Sequence, residues 1–168
     1  MSERERLSRS SFRRIQPISQ PRPLAILPQR VWSEDDWDRL QAGYRARDMD
    51  EKWNVFAEED IVFLHRSWTG FGAYEATFGP ADGGGRRITQ AVVEGDAKRY
   101  RTADDEFDCV MLEIVLSAIV LGEPAQQARE RLVALSRRAA DSASLPAGVI
   151  QHSAVGLRSE PEGRDCRP

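Results

Sequence analysis

Between Lys52 and Glu94 the chain carries four apolar segments of strand length separated by short polar breaks, and this block restricts the fold more than any other part of the 168 residues. KWNVFAE places Trp53, Val55 and Ala57 on one side at a period of two. The EED break around Glu59 allows a reversal into IVFLHRSW, and Thr69-Gly70 allows a second into FGAYEATF. GPADGGG, residues 79–85, reads as a flexible hairpin loop leading into RRITQAVVEGD. Connections this short join antiparallel neighbours, so the block predicts a four-stranded antiparallel meander.

A helical period flanks the block on both sides. In SEDDWDRLQAGYRAR, Ser33 is a candidate N-cap with Asp36 three residues on, acids crowd the first turn, and Trp37, Leu40 and Tyr44 recur on one face. After the strands, the acids of ADDEFD open a second helix whose face holds Phe107, Val110, Met111, Ile114, Val115, Ala118 and Leu121, ended by Gly122 and Pro124. Glu113 interrupts this run about 100 degrees from the centre of the apolar face, which sends it toward solvent. A third helix, about 124 to 140, turns Ala128, Leu132 and Leu135 inward. The expectation is an α+β domain: a short helix, a four-stranded antiparallel meander, then two helices packed on the sheet.

The ends read differently from this core. Residues 1–30 hold four of the nine prolines and seven arginines against two glutamates, a balance of +5 within a chain of net charge −3. They read as a flexible Arg/Pro-rich arm, residues 31–141 as a single domain, and residues 142–168 as a flexible tail. An arginine-rich arm on an acidic body suggests weak contact with nucleic acid, against the plainer reading of a solvated arm folded back on its own acids.

Several classes are excluded. The run VMLEIVLSAIVLG is too short and too interrupted to cross a bilayer, and the charged N-terminus leads into a proline-rich stretch without a signal core, so a cytoplasmic, bacterial protein is expected. Cys109 lies in a helical pattern and Cys166 in the expected tail, which makes a disulfide implausible in a reducing compartment. Two separated cysteines and two separated histidines lack zinc-ligand spacing. Asp48 and Asp50 could offer oxygens to a divalent ion, yet nothing else supports a metal, and neither metal nor cofactor is expected.

The densest chemistry is HRSWTGFGAYE, from His65 to Glu75. In its first strand Ile61, Phe63, His65 and Ser67 share one face, and Val62, Leu64, Arg66 and Trp68 the other. Both faces begin apolar and become polar toward Thr69, as a strand does where it emerges at a sheet rim. Lys52, His65, Arg66, Ser67, Trp68, Thr69, Tyr74 and Glu75 are therefore the candidate binding residues, with Arg86 and Arg87 as neighbours. Guanidinium and hydroxyl groups suit a phosphate or carboxylate, and Trp53, Trp68 and Tyr74 suit a base or sugar ring. The same residues also read as sheet cement, with Arg66 facing Glu75 as a cross-strand ion pair.

Specific enzymes find little support. His-x-Ser-x outlines half of a two-histidine phosphoesterase, but His152 does not supply the second half. No G-x-S-x-G elbow is present, and the triple glycine lacks the Gly-Lys-Ser/Thr ending of a phosphate loop. The expected function is a small binding or interaction module, not an enzyme, that takes an anionic or nucleotide-like ligand, or an unknown protein partner, at the sheet rim. The alternative is a small enzyme for a nucleotide, ADP-ribose or phosphate ester, with His65 as acid or base, Arg66 stabilising charge and Glu75 orienting it.

The 31 residues from Asp48 to Phe78 resemble a pattern of small bacterial proteins: K-W, a short hairpin, then H-R-S-W-T-G and Y-E. The resemblance covers under a fifth of the chain and implies a compact α+β domain of unassigned activity, associated with ADP-ribose-related genes but with no substrate assigned. If the pattern marks a site, its positions are Lys52, Trp53, His65 to Gly70, Tyr74 and Glu75.

Overall fold

A computed structural model describes residues 5–102, 104–140, 151 and 154–158. Cys166 and His152 lie outside the described residues, as does most of the stretch read as a tail. The elements in chain order are β1 (Pro21–Pro23), α1 (Glu34–Ala42), β2 (Trp53–Glu58), β3 (Ile61–Arg66), β4 (Gly72–Pro80), β5 (Arg86–Glu94), α2 (Asp105–Ile114) and α3 (Gln126–Ala140). A single 3-10 turn, Arg9–Ser11, precedes them, and a π-helical stretch, Val115–Val120, continues α2.

The α+β class and the antiparallel meander are as the alternation predicts, but the sheet has five strands, not four. Its order is β1-β5-β4-β3-β2, every neighbouring pair antiparallel. The extra strand comes from the stretch read as an arm: Pro21, Arg22 and Pro23 pair with Glu94, Val93 and Val92. Proline cannot donate to a ladder, which hides such a strand from a propensity reading and confines it to a sheet edge, where β1 lies.

Local signals account for the helices. Ser33 caps α1, its hydroxyl accepting from the Asp36 amide at 3.0 Å while the Asp36 carboxylate accepts from the Ser33 amide at 3.1 Å. Asp104 caps α2 through the Phe107 amide at 2.8 Å. The residues of α2 and its π-helical continuation from Val110 to Leu121 are buried except Glu113, which is partly exposed as its angular position predicts. Leu132 and Leu135 of α3 are buried and Ala128 packs against the same core.

The two sheet faces carry different layers. Trp53, Val55, Val62, Leu64, Tyr74, Ala76, Ala91 and Val93 form one core with α2, the π-helical stretch and α3. On the other face, Phe56 and Phe63 stack with ring centroids 5.0 Å apart, Phe12 packs on Phe56, and the Arg9 guanidinium lies over both strand phenylalanines at 5.2 and 5.0 Å. Among the described residues, the N-terminal segment thus covers the sheet. A Cβ on Gly70 would stand 2.3 Å from the Arg14 carbonyl oxygen, so this position, at φ +78°, needs glycine for the close approach.

Candidate functional site

Arg66 and Glu75 do not meet. Phe63 lies opposite Glu75 and Leu64 opposite Tyr74, so Glu75 shares the face of Phe63 and His65. Arg66 lies opposite Trp53 on the helix-covered face, its guanidinium 4.7 Å above the indole ring. The expected cross-strand pair is replaced by cation–π contact with Trp53 and a hydrogen bond from Nη1 to the Ala154 carbonyl at 3.1 Å. Burial lowers the Arg66 pKa from its ordinary value, against the pull of the nearby Tyr100 and Tyr74 hydroxyls.

His65 is 1% exposed. Its Nδ1 lies 2.8 Å from the Gly70 carbonyl, which can only accept, so Nδ1 carries a proton. The ring stacks on Phe56, and burial, with the charge of Arg9 adding to it, lowers its pKa below 6.5. Glu75, half-buried on the same face, is pushed up by burial against the opposing charge of Arg9. The trio required by the catalytic alternative is split by the sheet.

On the helix side, the end of β3 opens into a concavity of about 640 Å³. Five of the eight candidate residues line it: Lys52, Arg66, Ser67, Trp68 and Thr69. The wall opposite them comes from Arg99, Tyr100, Arg101, Phe107, Met111 and Ala154. No carboxylate is among the described lining residues. The ion pairs between described residues involve Arg9, Arg22, Arg30, Arg86 and Arg131, none of which lines this concavity.

The second wall is built by a loop the sequence reading passed over, GDAKRYR. The Glu94 carboxylate accepts from the amides of Ser19, Gln20 and Asp96 and from the Ser19 hydroxyl, which pins both the N-terminal segment and the start of this loop. These amide bonds hold the Glu94 pKa down against its burial. The Asp96 carbonyl then accepts from Arg99 and Tyr100, folding the loop over so that R-Y-R reaches the rim. The Gly95-Asp96 turn signal followed by alternating cations and an aromatic was the available clue.

Behind the pocket runs a hydrogen-bonded file. Tyr74 donates to Asp108 Oδ1 at 2.8 Å, so at the 2.9 Å contact between the two phenols Tyr100 is the donor. Arg22 closes the file from β1, reaching Asp108 Oδ2 at 3.0 Å and also Asp105. Burial raises both phenols well above their ordinary value and raises the Asp108 carboxyl, which the bond from Tyr74 and the charge of Arg22 pull back. Tyr74 therefore sits behind the pocket as a support for Tyr100.

Trp68 is 55% exposed at the mouth, with its Nε1 donating to the Met49 carbonyl at 3.1 Å and Lys52 Nζ 4.4 Å from its ring. Ser67 Oγ donates to the Glu51 carbonyl and Thr69 Oγ1 accepts from the Phe71 amide. Asp48 Oδ1 accepts from the Asp50 amide, a local turn, and no metal-binding cluster occurs among the described residues. No described helix is long and apolar enough to cross a membrane.

Fold and pocket together define an α+β domain with a basic, aromatic-walled cavity at the open end of its sheet. Comparison with protein-family models, curated proteins and solved structures gave no match.

Proposed function

We propose that this protein is a cytoplasmic binding module that takes an anionic, nucleotide-like ligand in the rim pocket. The observation that carries the reading is the convergence of Lys52, Arg66, Arg99 and Arg101 on one concavity with the rings of Trp68, Tyr100 and Phe107, with no carboxylate among the described residues of its walls. Phosphate fits such a set because guanidinium groups offer paired donors, and aromatic walls fit a base or sugar. Arg66 gives the cation nearest the sheet a fixed position, since Trp53 and the Ala154 carbonyl hold it. The arrangement of His65, Arg66 and Glu75 as acid, charge stabiliser and orienting group is not proposed, because the first and last lie on the opposite face of the sheet.

The test is a thermal-shift titration with ADP-ribose, mononucleotides and inorganic phosphate. A ligand of the folded state raises the melting temperature progressively with concentration. Arg66→Ala is a poor probe, as it also strips the cover from Trp53. Arg99 lies 4.7 Å over the half-buried Phe71 ring, so the Arg99→Ala, Arg101→Ala double variant should lower the melting temperature of the free protein only slightly and weaken binding by about tenfold or more, on the order of one charged hydrogen bond. A flat response to every ligand would sink the proposal.

A further inference from the structure

Ser67 and Trp68 line a second concavity, of about 410 Å³, on the other side of the same turn. Its cations are Arg13, Arg14 and Arg45, and like the first it has no carboxylate among the described residues of its walls. Arg13, Arg14 and Arg45 are exposed, and Arg45 is held by a bond from Nη2 to the Ser11 carbonyl at 2.7 Å, with its guanidinium 5.6 Å from the Phe12 ring. None of the three takes part in an ion pair between described residues. Two basic hollows thus adjoin across one exposed indole, on a chain whose net charge is −3.

We infer that this face is a track for single-stranded nucleic acid, with Trp68 as the stacking platform between two phosphate-binding hollows; the inference rests on the anion-pocket reading and extends it across the turn. A small anion needs only one hollow. A polyanion with regularly spaced phosphates engages both, and a nucleic-acid strand adds a base at each step that can stack on an aromatic ring. Duplex fits less well, because its bases are already stacked and the platform at Trp68 would go unused.

The other tryptophans sharpen the assay. Trp32, Trp37 and Trp53 are buried, so quenching of indole fluorescence by an added strand reports on Trp68. The full chain is titrated with thymidine monophosphate, with dT and rU oligomers of about 12 nucleotides, within the span of a single-strand groove, and with a duplex and inorganic polyphosphate of similar length. The 12-mers should bind about 100-fold more tightly than the mononucleotide and quench Trp68. Either sugar satisfies the inference, and the tighter one names the natural source.

In the Arg13→Ala, Arg14→Ala, Arg45→Ala variant, mononucleotide affinity should be unchanged, whereas 12-mer affinity should fall and its logarithmic salt slope should flatten by about 2, near 0.7 per lost phosphate contact. Trp68→Leu should remove the quench and weaken the 12-mer about tenfold. Circular dichroism of both variants should match that of the wild type, which separates lost binding from lost fold. A 12-mer that binds no more tightly than the mononucleotide overturns the track and leaves the pocket reading standing. Duplex or polyphosphate binding as tightly as the single strand also overturns the track, since neither needs the platform. Failure of the mononucleotide, ADP-ribose and inorganic phosphate alike to bind overturns the pocket reading itself.

Discussion

The two faces of the sheet are closed by different means. On one side the fully buried Trp53, Leu64 and Tyr74 share one core with α2, its π-helical continuation and the apolar side of α3, which together exclude water over a wide area. On the other, Phe56, Phe63 and His65 are covered by a segment without a long helix, through Phe12, Arg9 and close backbone passages at Gly70 and Gly72. The first layer is held by area and packing, the second by a few point contacts. The rim lies where the two coverings end, which explains why a strand buried for most of its length delivers polar side chains to solvent there.

Truncation of a large side chain on each face should expose this contrast most strongly. Trp53→Ala removes a fully buried indole that touches Tyr74 and Tyr100 and donates to the Ala154 carbonyl, and should cost about 3–5 kcal/mol in denaturant unfolding. Phe12→Ala, on a half-buried ring, should cost about 1.5 kcal/mol or less. Equal losses would show that the covering segment contributes as much as the helices.

A smaller effect should come from the covering segment's close approach. Gly70→Ala combines left-handed backbone strain with a collision against the Arg14 carbonyl, for a loss of about 2 kcal/mol. Gly83→Ala is the matched control, since Gly83 has φ +83° but nothing within 4 Å of a new Cβ. The excess of the first loss over the second measures the contact, and limited proteolysis should show the segment before Ile18 becoming cleavable only in the Gly70 variant. If the two variants unfold alike, the segment does not depend on Gly70.

The smallest effect is expected from protonation. His65 stays neutral in the fold below its ordinary pKa of 6.5, while the unfolded chain takes up the proton. Stability should therefore be flat above pH 6.5 and fall as the pH drops from 6.5 toward the folded value. Glu75 acts in the opposite sense nearer its ordinary value of 4.5, because its pKa is raised and protonation relieves its burial. The difference between wild type and His65→Phe isolates the imidazole; an unchanged acid limb in that variant would refute the assignment.

Much of this architecture was legible in the sequence because its signals are local. The alternation of KWNVFAE, IVFLHRSW, FGAYEATF and RRITQAVVEGD corresponds to β2 to β5, Ser33 caps the helix it was expected to start, and α2 opens on the acids expected to open it, with Asp104 as its cap. The fifth strand was illegible because two of its three residues are prolines and its partner is some 70 residues away, in β5. In the candidate site, Lys52, Arg66, Ser67, Trp68 and Thr69 came together at one cavity, His65 and Glu75 went to the other face, and Tyr74 went behind. Arg99, Tyr100, Arg101 and Ala154 entered from segments whose proximity no short pattern encodes.

The periods, the Ser33 cap and the turn positions follow from the chain's local order, since each depends on a residue and its neighbours within a few places. The part played by HRSWTGFGAYE is settled instead by contacts between distant segments. The partner of β3 steps from Tyr74 at Leu64 to Gly72 at His65, a bulge that periodicity does not register. Gly70 and Gly72 became slots for Arg14 and Ile18, contacts made across more than 50 residues of chain. Strand parity and register divided the charges, and the loop after β5 supplied the facing wall. Side-chain chemistry is written residue by residue, but which groups face one another is set by the pleat, the pairing register and the distant segments that pack over them.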